Sequence, residues 1–202
     1  MELSALYKAF QKLIGDGEMI ENVRCALLSN RKNDVLSAYV GMVDGDLTTD
    51  NLQKIFQYYY ADRKDKCQDY TPKSIAKLCA SATETSGLVV YDLCAGSGAL
   101  TIQKWAQNPS KTFICEELDE RVIPLLLFNM AVRNMSGYVI HRNALTLEPF
   151  ECFRLVSDER FSTITRVDAP PDIHADEIVS NPPYNIRWDA PTPLLAGERF
   201  LN

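Results

Sequence analysis

Leu3, Leu6, Tyr7, Phe10, Leu13 and Ile14 recur at spacings of three and four, which predicts an amphipathic helix at the start of the chain. Gly15-Asp16-Gly17 punctuates that pattern, and Ile20, Val23, Ala26 and Leu27 predict a second helix. Asp34 stands as a candidate N-cap before Val35, Leu36, Tyr39 and Val40, and Gly41 to Gly45 breaks the run. Thr49 or Asp50 is then placed to cap a helix through Leu52, Ile55 and Phe56. The first 62 residues therefore predict a small helical region, and the charged, aperiodic stretch Ala61 to Gln68 predicts a connection.

Past Thr71-Pro72 the periodicity changes. A helix through Ile75 and Leu78 leads to the strand-like run Leu88-Val89-Val90-Tyr91. Thr112 to Cys115 predicts a second strand, Arg121 to Asn134 a helix, Tyr138 to Ile140 a third strand and Glu177 to Val179 a fourth. Strands alternating with helices require crossovers, so residues 63–202 predict an α/β domain with a mainly parallel sheet covered on both faces. Between Pro149 and Asp176 the composition is polar and proline-containing without a clear period, which predicts loop with room for a short helix.

Composition narrows the functional classes. With 202 residues, 46% hydrophobic and 24% charged, the chain has the make-up of a globular protein. It contains no apolar run of the ~20 residues a membrane span needs. Acidic Glu2 and helical periodicity replace the basic and apolar blocks of an export signal, so the expected location is the cytoplasm. Six isolated cysteines and two histidines, His141 and His174, lack metal-ligand spacing, which argues against zinc and predicts free, mostly buried thiols. A formal net charge of -6 disfavours broad attraction to phosphate, so any contact with nucleic acid is local or supplied by a partner.

Three segments carry chemistry. Val89 to Gly98 runs from a buried-looking strand into a glycine turn and then a helix near Ala99. Gly96 and Gly98 let backbone approach a ligand, and the helix start offers unpaired amides. Asp92 at the strand end can hold an ammonium group. Gly98 is followed by Ala99, Leu100 and Thr101, so the three-glycine pyrophosphate fingerprint is incomplete. About twenty residues on, Glu116, Glu117 and Asp119 cluster at the end of the second strand. Glu117 is the candidate for ribose hydroxyls, Glu116 should point to the opposite face, and Asp119 suits the N-cap of the next helix.

The most specific segment is Asn181-Pro182-Pro183-Tyr184 at the end of the fourth predicted strand. Two prolines fix the backbone and remove two N–H donors, leaving carbonyls free to accept. The Asn181 side-chain oxygen and the Pro182 carbonyl can together accept from a planar NH₂ group, while the Tyr184 ring can stack on a base.

Asp92 to Gly98 resembles the cofactor motif, and Asn181 to Tyr184 the catalytic motif, of adenine-specific amino-methyltransferases of DNA. Gln68-Asp69-Tyr70-Thr71-Pro72 resembles the element that precedes the fold in the modification subunits of type I restriction systems. The helical first part and Asn185 to Asp189 are also similar to those subunits, so the resemblance covers nearly the whole chain.

The resemblance implies a Rossmann-like, S-adenosylmethionine-dependent methyltransferase fold over 63–202, and DNA as substrate. It also implies a DNA-specificity subunit and further methyltransferase subunits as partners, with no membrane involved. Tyr70, Thr71 and Pro72 would line the methionine side, Asp92, Ala95, Gly96 and Gly98 the cradle, and Glu117 the ribose. Asn143 stands where the family usually has aspartate to accept from the cofactor's adenine amine, which implies weaker adenine binding. Asn181, Pro182, Pro183 and Tyr184 would form the catalytic tip. Family members continue past this motif with strands that complete the sheet, so an incomplete sheet of four strands is expected up to Asn202. A protein glutamine or an RNA base would satisfy the same amine chemistry, and a noncatalytic binding module would keep the same cradle.

Overall fold

The computed structural model describes residues 2–60, 71–147 and 149–182. Four helices come first: α1 (Leu3–Ile14), α2 (Met19–Leu27), α3 (Lys32–Met42) and α4 (Asn51–Tyr59). The α/β part follows as α5 (Lys73–Ala82), β1 (Val89–Asp92), α6 (Ala99–Gln107), β2 (Thr112–Glu117), α7 (Ile123–Val132) and β3 (Ser136–Arg142). It continues as β4 (Pro149–Val156), β5 (Thr163–Val167) and β6 (Glu177–Ile178).

The six strands form one sheet in the order β5-β4-β3-β2-β1-β6. The pairs β1 with β2, β2 with β3 and β1 with β6 are parallel, as helical crossovers demand. This is the expected Rossmann-like α/β arrangement, with its described strands between Val89 and Ile178. Alternate residues bury on opposite faces: Val90, Phe113, Cys115 and Val139 join the main core beneath the helices, while Tyr91, Ile114 and Ile140 form a second cluster.

Every residue of α7 is buried, which fits a helix that is apolar all round and has neighbours on every side. One side packs on the sheet. On the other, Phe128 meets the Phe10 and Tyr39 rings edge-on at 5.6 and 5.0 Å. The helical region thus shares one core with the α/β part. No described helix is long and apolar enough to cross a membrane.

Two expectations are corrected here. The sheet has six described strands, not four, because residues 149–167 form an antiparallel hairpin added beyond β3 where loop was expected. Phe153 and Leu155 bury in the main core and Cys152 in the second cluster. Exposed Phe150 and Val156 blur the alternation, and β5 is an edge strand with Thr163, Thr165 and Arg166 facing solvent. The thiols also differ from expectation: of the five described cysteines, Cys115 and Cys152 are buried, Cys79 and Cys94 are partly so, and Cys25 is exposed.

At the amino end of β6 a charged group is fully enclosed. Glu177 receives Lys104 from α6 at 2.6 Å and Lys111 from just before β2, together with the Thr85 N–H at 2.6 Å and hydroxyl at 2.9 Å. Burial opposes its charge, but bonds from Lys104 and Lys111 outweigh this and hold its carboxyl down at about 2. Next to it, Asp176 accepts from the Leu88 and Val89 amides and so fixes where β1 begins.

Candidate active site

Strand order reverses at β1, which leads on one side to β2 and β3 and on the other to β6. In such sheets the ligand crevice lies beyond the carboxyl ends of the strands at that reversal. β1 and β6 run parallel, with Tyr91 opposite Ile178, and the ladder continues through the Val179 N–H to the Tyr91 carbonyl at 2.9 Å. The glycine turn after Asp92 and the segment Ser180-Asn181-Pro182 therefore leave the sheet at the same edge. Burial pushes the Cys94 thiol up to about 12, with the Ser180 hydroxyl opposing the rise. Asn181 is half-buried and Pro182 exposed, whereas Tyr70, Pro183 and Tyr184 lie outside the described residues.

The turn itself is tightly built. The Ala95 N–H donates to the Glu116 carbonyl at 2.9 Å, and the Gly98 N–H returns to the Ala95 carbonyl at 2.8 Å. Gly96 and Gly98 have φ of +56° and +100°, left-handed backbone that favours glycine. A Cβ on Gly98 would sit 3.1 Å from Leu126 Cδ1. Gly98→Ala is expected to lower stability by about 1–2 kcal/mol, read from the urea midpoint; an unchanged midpoint would show the turn relaxes freely.

Asp92 is 1% exposed. Its Oδ2 accepts from the Thr101 hydroxyl at 3.1 Å, while Oδ1 has no hydrogen-bond partner among the described residues. Burial pushes this carboxyl up to about 7, against opposing hydrogen bonds from Thr101 and the Cys94 backbone. A buried oxygen without a partner is costly, and a ligand cation would relieve it.

Glu117 ties the end of β2 to the turn. Its Oε2 accepts from the Gly96 N–H at 2.8 Å, and its Oε1 from Leu118 and Asp119 amides at 2.9 and 2.8 Å. Burial raises its pKa, with these amides opposing the rise. Glu116 points to the other face, as the alternation requires, and there meets Arg142 and the Tyr91 hydroxyl. Asp119 caps a turn at Arg121, and α7 starts at Ile123, later than an N-cap at Asp119 would set it.

Asn143 directly follows β3, and its side-chain oxygen accepts from the Leu145 N–H at 2.9 Å. That bond leaves the oxygen one lone pair for a ligand amine. Thr71 is buried, with its carbonyl accepting from Gln53 Nε2 at 3.3 Å, and Pro72 is the N-cap of α5.

Sequence reasoning missed what holds the turn from behind: Asp50 accepts the Ser97 hydroxyl, and Asn129 reaches both. Asp50 was visible as a helix cap, but nothing local signals its partner 47 residues away. Residues 44–201 match the family model described as N-6 DNA methylase. The chain belongs to that family. As an N-6 DNA methylase it carries a methyltransferase domain of the kind that acts on adenine in DNA. The match takes in α4 with Asp50 as well as both strand tips.

Proposed function

We propose that the chain is an S-adenosylmethionine-dependent, adenine-specific DNA methyltransferase of the modification-subunit type found in type I restriction systems. The observation that carries this reading is the shared edge of β1 and β6, with the glycine turn beside Asn181. The family match supports an adenine amine as acceptor. The segment Gln68 to Pro72 and the helices of 1–62, set before a cofactor-binding part in 63–202, support the modification-subunit type.

The described residues fit the cofactor. Asp92 Oδ1, buried and without a partner, suits its ammonium group. Ala95, Gly96 and Gly98 shape the cradle, Glu117 takes ribose hydroxyls, and Asn143 accepts from the adenine amine. Thr71 and Pro72, with Tyr70, cover the methionine side. When bound, S-adenosylmethionine supplies a methyl carbon activated by positive sulfur.

The remaining work falls to the chain. The target base must leave the duplex for its amine to reach this tip. Asn181 Oδ1 and the Pro182 carbonyl accept from its NH₂ group and so aim the nitrogen lone pair, and Tyr184 stacks on the ring. Alignment of this kind needs no nucleophile from the protein. The net charge of -6 leaves most phosphate contact to a specificity subunit and further methyltransferase subunits.

The test is calorimetry with S-adenosylmethionine, followed by labelled-methyl transfer to unmethylated DNA with the specificity subunit present. Mass spectrometry of the product should place the methyl group on adenine; methyl on RNA or on a protein glutamine would overturn the substrate assignment. Binding should also depend on pH. Asp92, pushed up to about 7 by burial, must be ionised to hold an ammonium group. Affinity should therefore rise up to about tenfold per pH unit below that value and level off above it. Asp92→Asn should flatten the profile, and a wild-type profile already flat across about pH 6–8 would remove Asp92 from the ammonium site.

A further inference from the structure

Asp50 belongs to the helical region, yet it grips the glycine turn. As N-cap of α4 it accepts from the Gln53 N–H at 2.9 Å through Oδ1, and its Oδ2 accepts the Ser97 hydroxyl at 2.7 Å. Asn129 on α7 closes the group, donating to Asp50 Oδ1 at 3.0 Å and to the Ser97 carbonyl at 2.8 Å. Arg133, one turn on, donates to Asn129 Oδ1 at 2.9 Å and fixes which way that amide faces. Its guanidinium also binds the Leu47 and Thr49 carbonyls at 2.7 and 3.2 Å, anchoring the chain just before Asp50. All four side chains are buried.

Capping alone does not explain this arrangement. A serine or an exposed aspartate caps a helix as well, without the cost of enclosing a charge. What the buried carboxylate adds is its hold on Ser97, the residue between Gly96 and Gly98. Those glycines carry no side chain to grip; Glu117 holds the turn through the Gly96 N–H, and Ser97, held by its hydroxyl and by its carbonyl, anchors it to the helical region. The same first turn of α4 reaches the other wall of the site, where Gln53 Nε2 meets the Thr71 carbonyl.

We propose that Asp50 is a positioning residue for the cofactor turn, so that ligand affinity at Gly96 to Gly98 is set through the Asp50–Ser97 bond by the helical region. The inference rests on the proposed binding of S-adenosylmethionine. Ser97→Ala, Asp50→Ser and the double variant test it in the full chain, with S-adenosylmethionine affinity by calorimetry and stability by urea unfolding. Serine at 50 keeps a cap on α4 while withdrawing the carboxylate from Ser97.

Each single variant should bind about tenfold more weakly, the worth of a hydrogen bond to a charged group. The double variant should lose no more than Asp50→Ser alone, because that change already removes the bond that Ser97→Ala deletes, along with the Asn129 contact to Asp50. A purely structural bond would lower the urea midpoint and leave the affinity of the folded protein unchanged, and that result overturns the proposal. Fully additive losses would overturn it as well. If Asp50→Ser does not fold, Ser97→Ala carries the test alone, since it deletes a single oxygen. Wild-type protein that fails to bind S-adenosylmethionine would instead overturn the cofactor reading, and the inference with it.

Discussion

Glu177→Ala is expected to destabilise the folded chain by about 3–5 kcal/mol, as the removal of one member of an enclosed ion pair does elsewhere. The side chains of Lys104 and Lys111 are 0% and 3% exposed, and both reach this one carboxylate. Without it two ammonium groups stay buried with, among the described residues, the Ala80 and Thr85 carbonyls as remaining acceptors. The Thr85 amide and hydroxyl lose their acceptor too. Replacing Glu177, Lys104 and Lys111 together by methionine should restore most of the stability, because the cost lies in unpaired charge and not in lost attraction.

The pH dependence follows with a definite sign. The Glu177 carboxyl is held down at about 2 in the fold against an ordinary value of 4.5. Its contribution is therefore complete above about pH 4.5 and is lost as pH falls toward 2. Urea midpoints across that window should fall more steeply for wild type than for Glu177→Gln. A loss below about 1 kcal/mol in Glu177→Ala would mean that water reaches the lysines.

Much of the fold was legible because strands buried on both faces leave unbroken apolar runs. Val89 to Tyr91 and Thr112 to Cys115 announce β1 and β2 for that reason. The hairpin β4–β5 was hidden by its place at the edge, where threonines and Arg166 face water and Phe150 is exposed. Helix existence was easier to predict than helix facing. α5 is present as the pattern through Ile75 and Leu78 predicts, but those two residues are 48% and 65% exposed while Ala76 and Ala80 are buried. Small residues let α5 come close to α6, an effect the spacing of large apolar residues does not reveal. α3 begins at Lys32, so Asp34 lies in its first turn, where negative charge suits the helix amino end, and not at the cap.

The site divided along similar lines. Glycines after a strand and a carboxylate at the next strand end are local patterns, and the structure puts Gly96 and Glu117 in direct contact. The side-by-side placement of β1 and β6 depends on sheet order, which single segments do not encode. The hold of Asp50 on Ser97 is of the same long-range kind.

Asn181→Ala is expected to lower methyl transfer to DNA by at least about 10²-fold, the usual cost of deleting a preorganised polar group at a reacting centre. Asn181 stands three residues past Ile178, on the tip next to the glycine turn. Pro182 has a carbonyl and no N–H at this tip, and the Asn181 side chain supplies the second acceptor in this reading. Alanine would remove the side-chain acceptor and free the NH₂ group to rotate, which misaims its lone pair without touching the cradle residues. Affinity for S-adenosylmethionine should therefore stay within about threefold while kcat falls, the pattern of an interaction needed for the reaction itself. Asn181→Asp keeps an oxygen at the same reach and should recover part of the rate. Transfer by Asn181→Ala at the wild-type rate, with cofactor binding intact, would take the amine-holding role away from this tip.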